Sequence, residues 1–363
     1  MKAQFIYLLV VLTFPQFTFA QEDPYDIGWN PNGYLRQQHT VEYCVEHHQY
    51  QLEHLWVKTE RSYQLFQAHA QKFSRIDSLT IGDNLFCAVI KQLEHDMLKN
   101  AGELPDLPEL KFLSINMLSM ENPFKNLGKL EQLKYLEIGG SFTHIPHEVW
   151  GLTQLEHLNL YGHFKTVSPE INQLRQLKSL VLQGKYTKLP NPIRPLPKLE
   201  YLNISGDLAE TPDYLKYCPN LRFFEMISDI PMRVTSNIGR LTKLEVLILT
   251  NNVILNFSDD ISKLQTLREL HLSCTWLNKF PAGICKLASL EELRLDVMCL
   301  DEQLEDYYGK TYAIIPTLHI PSTIQQLPKL EWIDLIGRKV PEADIQLILK
   351  AFPDAAIEYG PWE

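Results

Sequence analysis

The amino-acid sequence predicts an α/β solenoid, in which short strands from successive repeats stack side by side into one parallel sheet. A frame of spaced leucines, LxxLxxLxL, recurs at steps of 22 or 23 residues. The closing LxL of each frame alternates as a strand does when it buries one face. The segment that follows often contains proline, which cannot donate to a sheet ladder, so it predicts a return of extended chain or short helical turns.

The frame is clearest at Leu152, where the sequence reads LTQLEHLNL. Because no unit of this size can bury its leucines alone, the stacked units must share one continuous core. Cys218 stands where other copies begin with leucine, which predicts a small buried hydrophobic side chain. The last step, from Leu287 to Leu327, is 40 residues long and predicts an insertion at about residues 298–315. The copies begin at Leu107, Leu130, Leu152, Leu174, Leu196, Cys218, Leu241, Leu264, Leu287 and Leu327.

From roughly Leu52 to the C-terminus, this pattern resembles the leucine-rich repeat family, in particular its bacterial and Ras-associated types. The resemblance implies a curved leucine-rich repeat horseshoe with a parallel β-sheet on the concave face. The family usually places asparagine three residues after LxL, whereas four units of 22 residues here carry glycine two residues after it. Glycine permits positive φ and close backbone approach, so we predict a shorter turn set by glycine conformation. These glycines are Gly140, Gly162, Gly184 and Gly206.

The first 20 residues have the layout of a secretory signal peptide. Lys2 precedes the apolar run Phe5–Leu12, and small residues at Thr18 and Ala20 predict cleavage near Ala20–Gln21. The alternative, an uncleaved anchor, is disfavoured because a membrane span needs about 20 apolar residues. We therefore expect a protein that is secreted, periplasmic or at the cell surface, with no membrane span.

The rest of the chain divides into a leader, two caps and the repeats. We expect a leader at residues 21–49, an N-terminal capping region with irregular repeats at 50–106, leucine-rich repeats at 107–340 and a C-terminal cap at 341–363. Apolar periodicity predicts helices at Arg61–Phe73, Asp83–Asn100 and Glu342–Phe352, and a last strand at Ala356–Tyr359. Export would permit disulfides; Cys44 with Cys87 and Cys274 with Cys299 are candidate pairs, although connectivity cannot be read from sequence.

Composition and motifs narrow the class of function. The chain has 363 residues and a formal charge of −10, and its apolar fraction of 45% excludes a disordered chain. Nucleic acid is not expected as a partner, because phosphate binding needs a basic surface. The sequence contains no P-loop, GxGxxG, HExxH or GxSxG motif, so we expect no enzyme activity and no cofactor. His47, His48 and His54 match no zinc spacing, and no metal site is predicted.

Residues between the leucines project from the other face of the sheet in parallel columns, one residue per repeat. The N-terminal half of this face is aromatic and mostly uncharged, and the C-terminal half is charged. Aromatic residues and arginine are enriched where interfaces bind most strongly. The candidate ligand-binding residues are Phe112, Tyr135, His157, Tyr161, Tyr201, Phe223, Glu269, His271, Glu292, Arg294, Asp296 and Trp332.

These columns favour binding of a protein or peptide on the concave face, with the acidic half selecting a basic region of the partner. Three alternatives stay open: packing along the column alone, carbohydrate or cell-wall binding by the same aromatic residues, and a structural role in envelope adhesion. Glu269 and Glu292 on neighbouring strands could flank a sugar as a catalytic pair. No pocket or nucleophile accompanies them in the sequence, and a fold alone does not establish catalysis.

Overall fold

A computed structural model describes most of the repeats and part of both ends. The predictions for the signal peptide, the helix at Asp83–Asn100, the insertion at 298–315, His47, His48 and both cysteine pairs lie outside the described residues, as does the leader apart from Val45. The described residues are 45, 54–57, 60–73, 76, 78–82, 103–117, 126–189, 196–228, 230–250, 253–273, 275–297 and 316–360.

Within these ranges one parallel sheet, the main sheet, runs the length of the solenoid with thirteen strands. Its strand order follows the chain, because each repeat adds one strand beside the previous one. The prediction of an α/β solenoid with a parallel sheet is confirmed. The strands of the main sheet are β1 (His54–Val57), β2 (Ser78–Gly82), β3 (Phe112–Met117), β4 (Tyr135–Gly140), β5 (His157–Tyr161), β6 (Ser179–Gln183), β7 (Tyr201–Gly206), β8 (Phe223–Ser228), β10 (Val246–Ile248), β12 (Glu269–His271), β14 (Glu292–Arg294), β15 (Trp332–Asp334) and β16 (Ala356–Glu358).

The alternation of LxL decides which face of each strand is buried. In β5, Leu158 and Leu160 are fully buried, and the corresponding residues of the other repeats join them in one core cluster that extends from Leu55 to Phe352. Cys218 is 1% exposed with a free thiol, which confirms its predicted role as a buried hydrophobic side chain. The other face of the main sheet, here called the open face, carries the columns predicted from sequence.

The proline-containing returns are short 3-10 helices, as predicted. Each of the repeat helices closes with a hydrogen bond from the residue after it to a carbonyl three residues earlier, for example Leu174 N–H to the Ile171 oxygen at 3.1 Å. The 3-10 helices span Ala70–Phe73, Leu127–Lys129, His147–Gly151, Pro169–Gln173, Asp213–Tyr217, Ser236–Arg240, Asp259–Lys263, Ala282–Lys286 and Ser322–Gln326.

A second parallel sheet, which the sequence analysis did not predict, precedes three of these helices. It contains β9 (Met232–Val234), β11 (Val253–Phe257) and β13 (Trp276–Leu277), in the order β13-β11-β9. These strands lie in the units that begin at Cys218, Leu241 and Leu264, and each of those units has 23 residues. These three units extend their returns into strands, whereas the described returns of the 22-residue units contain no strand.

The glycines of the 22-residue units have a different role from the one predicted. Positive φ occurs at Gly337 and Gly360, and not at these glycines. Instead, a Cβ on Gly162 would lie 2.8 Å from the Phe142 ring, and one on Gly184 would lie 2.7 Å from the Phe164 ring. Close approach is thus the requirement, and turn conformation is not.

The rings that cover these glycines form a buried aromatic ladder. Phe142 stacks on Phe164 with ring centroids 5.8 Å apart, and Phe164 stacks on Tyr186 at 5.7 Å. All three side chains are fully buried. The Tyr186 hydroxyl donates a hydrogen bond to the Leu182 carbonyl at 2.8 Å, which satisfies its polar group inside the core. The ladder ties three successive repeats together behind the main sheet.

An α-helix lies near each end of the described part of the solenoid. The helix α1 (Glu60–Ala68) and the 3-10 turn after it bury Phe66 and Phe73, as the prediction for Arg61–Phe73 required. The helix α2 (Glu342–Ala351) buries Ile345 and Ile348, and β16 adds the last strand. Both C-terminal predictions are confirmed. Among the described residues, no helix combines the length and apolar character needed to cross a membrane.

We predict that Gly184→Ala destabilises the protein by about 1–3 kcal/mol, because its Cβ would overlap the buried Phe164 ring. The free energy of unfolding from urea titration measures this effect. Gly151→Ala is the matched control, since a Cβ there meets nothing within 4 Å. Equal stability of both variants would contradict the close-approach role of Gly184.

Candidate functional site

The open face has the columns that the leucine spacing predicts. Strand pairing places Phe112 opposite Tyr135, Tyr135 opposite His157, and Tyr201 opposite Phe223. Further along, Glu269 is opposite Glu292, and His271 is opposite Arg294. The predicted register is therefore correct throughout the candidate residues that lie in these strands.

Aromatic side chains form two separate stacked pairs on this face. The Phe112 and Tyr135 rings lie 4.2 Å apart with an interplanar angle of 10°, and the Tyr201 and Phe223 rings lie 4.3 Å apart at 9°. All four residues are half-buried. His157 contacts the first pair at 6.1 Å from Tyr135 and is buried, so it contributes less exposed surface than the sequence suggested. Tyr161 is half-buried in another column, opposite Gln183.

Glu137 organises a hydrogen-bond network beside the first aromatic pair, and the sequence analysis missed it. Its carboxylate accepts hydrogen bonds from Ser114 Oγ at 2.9 Å, Asn116 Nδ2 at 2.6 Å and the Tyr135 hydroxyl at 2.9 Å. Asn159 Nδ2 donates to the same hydroxyl at 3.0 Å. Burial, together with the Glu137 charge, raises the pKa of Tyr135 well above its usual range.

A second carboxylate, Glu225, lies beside the other aromatic pair. It accepts a hydrogen bond from Asn203 Nδ2, and its burial raises its pKa to about 7. The prediction of a mostly uncharged N-terminal half therefore holds for the aromatic column but not for the neighbouring one. Glu137 could have been noticed in the sequence, because Ser114 and Asn159 on the adjacent rungs can donate hydrogen bonds. Glu225 has such a neighbour on one side only, Asn203.

The charged half of the open face converges on His271, whose side chain is fully buried. Its Nε2 lies 2.9 Å from Glu292 Oε1 and 3.7 Å from Glu269 Oε2. Arg294 also donates a hydrogen bond to Glu292 Oε1, and its guanidinium carbon lies 4.3 Å from the centre of the Trp332 ring. Five of the predicted residues thus form one connected cluster.

This partly buried cluster of side chains carries more negative than positive charge. Burial, reinforced by the Glu292 charge, raises the pKa of Glu269 to about 7. Burial lowers the pKa of His271, partly offset by its hydrogen bond to Glu292. For Glu292, burial acts to raise the pKa, but the hydrogen bonds from His271 and Arg294 outweigh it, so that the pKa is lowered.

Asp296 lies beyond β14, beside a residue that the sequence analysis did not select. Arg338 is buried, and its Nε donates a hydrogen bond to the Leu295 carbonyl at 2.7 Å. Burial lowers the pKa of Arg338 to about 10, and Asp296 opposes this effect. Asp334 is also buried, which raises its pKa to about 6. The leucine spacing does not indicate a role for Arg338, because this residue follows β15 in an irregular segment.

Comparisons with known proteins agree with this architecture. A family model for a leucine-rich repeat region matches residues 88–225. The structure is similar to an internalin of Listeria monocytogenes, with a TM-score of 0.55 and 15% identity, covering 81% of this chain and 77% of the internalin. Residues 88–225 therefore match the leucine-rich repeat family by sequence, and most of the chain has the fold of a leucine-rich repeat solenoid. No curated protein sequence matches the chain significantly.

Two further solved structures are more distantly similar. A leucine-rich repeat protein of Leptospira interrogans has a TM-score of 0.45 at 19% identity, covering 85% of this chain and 90% of that one. The plant peptide hormone receptor RGFR1, solved in complex with RGF2, has a TM-score of 0.41 at 15% identity, covering 86% of this chain and 60% of the receptor.

We predict that Glu225 destabilises the fold as pH rises. Its pKa of about 7 lies above the usual value of 4.5, so the folded state keeps a proton that the unfolded state releases between these values. The free energy of unfolding then falls as pH rises from about 4.5 to 7. Glu225→Gln removes this loss and is expected to be more stable than wild type at pH 8 by up to about 3 kcal/mol.

Glu156→Gln serves as a control of opposite sign. Hydrogen bonds from Lys178 and Lys134 lower the pKa of Glu156 to about 2, so its contribution is present above about pH 4.5 and is lost as pH falls towards 2. Urea titrations at pH 2 to 8 measure both variants. A Glu225→Gln variant with the wild-type pH profile would contradict the proposed burial of this carboxyl.

Proposed function

We propose that this chain is an exported protein that binds a protein or peptide partner on its open face, which in leucine-rich repeat proteins is the concave one. The observation that carries the proposal is the presence of two stacked, half-buried aromatic pairs on that face. We further propose that the face binds without catalysing a reaction. Export rests on the signal-peptide pattern of residues 1–20.

The aromatic pairs are suited to anchor a partner. Each ring is held by its neighbour and by the strand beneath it, so little side-chain freedom remains to be lost on binding. Tyrosine and phenylalanine also bury a large area with few rotatable bonds. The two pairs are separated by His157 and Ser179, which are buried in the same column. A bound chain could therefore place one apolar side chain at each pair and bridge the smaller residues between them.

The charged half favours a partner with a basic region. Glu269, Glu292 and Asp334 lie in or beside the same columns as the anchors. Burial raises the pKa of Glu269 and of Asp334, and the nearby Arg294 offsets this only in part, so the ionised carboxyls have too little positive charge around them. A lysine or arginine from a partner would supply that charge and would also speed association at low salt.

Carbohydrate binding is the second candidate, because aromatic residues also bind sugars. The geometry favours it less. The stacked rings lie on adjacent strands and turn their faces towards each other, as the interplanar angles of 9° and 10° indicate. Sugars stack on the faces of aromatic rings, whereas this arrangement presents mainly ring edges to the solvent.

The test combines Tyr135→Ala, Tyr201→Ala and Phe223→Ala in one variant of the full chain. Peptides selected from a random display library on the wild-type protein are expected to bind this variant at least ten-fold more weakly, because each anchor contributes more than about 1 kcal/mol. Selected peptides should be rich in lysine and arginine, and their affinity should fall as salt rises.

Leu255→Ser is the control, since this side chain is 44% exposed on the second sheet. Thermal unfolding of each protein separates lost binding from lost folding. Peptides that bind the triple variant as tightly as wild type would refute the proposal. A glycan array probed with the same proteins addresses the alternative: glycan binding lost in the triple variant, with no peptide selected, would favour carbohydrate recognition.

A further inference from the structure

The cluster around His271 has the geometry of a metal site. Glu269 and His271 are two residues apart on β12, so both project to the open face, and Glu292 is directly opposite Glu269 on β14. One ligand atom from each of these three residues lies within 4.8 Å of the other two. Two neighbouring strands thus bring one imidazole and two carboxylates together at a single point.

The distances between these atoms fit a small transition metal ion. Bonds of about 2.0–2.2 Å to zinc in a tetrahedral arrangement place the ligand atoms about 3.3–3.6 Å apart. The observed separations from His271 Nε2, 2.9 Å to Glu292 and 3.7 Å to Glu269, lie on either side of that range. Small rotations of the two carboxylates would therefore suffice to complete three bonds.

The exposure of the three side chains leaves room for a fourth ligand. His271 is fully buried beneath the carboxylates, whereas the side chains of Glu269 and Glu292 are 22% and 15% exposed. A cation held by all three would face the open side, where water or a donor atom of a partner could complete its coordination. One imidazole with two carboxylates suits zinc better than calcium or magnesium, which take mostly oxygen ligands.

We propose that Glu269, His271 and Glu292 bind a divalent transition metal ion of the zinc type on the open face. The site shares Glu269 and Glu292 with the charged half of the open face but none of the aromatic pairs, so zinc binding does not require a protein or peptide partner. Nothing in the comparisons with known proteins points to a metal in this chain.

Arg294 is the natural competitor for this site. Its guanidinium donates to Glu292 Oε1, the same oxygen that lies nearest to His271 Nε2. In the absence of metal, Arg294 therefore supplies the positive charge that the carboxylates need. The nearby Trp332 ring gives the guanidinium a second favourable contact, which it could keep while releasing the carboxylate. Metal binding and the Arg294–Glu292 contact are thus mutually exclusive or nearly so.

Zinc chloride titration of the full chain by isothermal calorimetry tests the proposal. His47 and His48 are replaced by Gln in every protein, so that zinc bound near the N-terminus does not obscure the result. We expect one zinc ion to bind per chain at micromolar concentration, and magnesium and calcium not to bind under the same conditions. Glu269→Gln and His271→Gln should each weaken zinc binding at least ten-fold.

Two further variants make the test specific. Arg294→Gln should strengthen zinc binding several-fold, because it removes both the competing hydrogen bond and a nearby positive charge. Glu291→Gln is the matched control: this residue adjoins Glu292 in the chain but pairs with Arg268 at 2.7 Å, and its removal should leave zinc binding unchanged. Circular dichroism confirms folding, and Glu269→Gln carries the test if His271→Gln does not fold. Zinc binding that is absent in the wild type, or unchanged in Glu269→Gln, would overturn the proposal.

Discussion

In-register parallel pairing of the main-sheet strands is the constraint on which the rest of this molecule depends. A strand of three to six residues cannot bury its leucines by itself, so each rung is stable only between its neighbours. The same pairing that aligns Leu136 with Leu158 in the core also aligns Tyr135 with His157 on the open face. A shift by one residue would exchange the two faces, so the core fixes the composition of the open face as well.

A second constraint acts behind the sheet and divides the solenoid into two kinds of repeat. Units of 22 residues bring a buried ring against a glycine of the next unit, as Phe142 does with Gly162. Three units of 23 residues instead extend their returns into β9, β11 and β13. Both arrangements, the ring against a glycine and the added strands, fill the space between the main sheet and the returns. In these three units the extra residue accompanies a different packing of neighbouring repeats, while the main sheet continues through both kinds of unit.

The leucine spacing was sufficient to predict the main sheet, the core and every strand-borne column of the open face, because these follow from a period of two along a strand and one strand per repeat. It could not predict the second sheet, since Met232–Val234 carries no repeated leucine signal. The role of Gly184 was also missed, because a close contact between repeats depends on which side-chain rotamer fills the gap. The Glu137 network was missed because it joins donors from three strands, and the leucine spacing gives their alignment but not their hydrogen bonds.

The fold does not require the carboxylates on the open face. Val181 and Ile248 occupy the same column as Glu225 and show that apolar side chains fit there. Burial raises the pKa of Glu225 to about 7, so its ionised form costs stability near neutral pH. Replacing such a carboxyl by an apolar side chain would remove that cost without disturbing the leucines beneath. A cation bound from outside, whether a metal ion or a basic side chain, would offset the same cost. The acidic columns therefore favour the proposed binding over a role in packing alone.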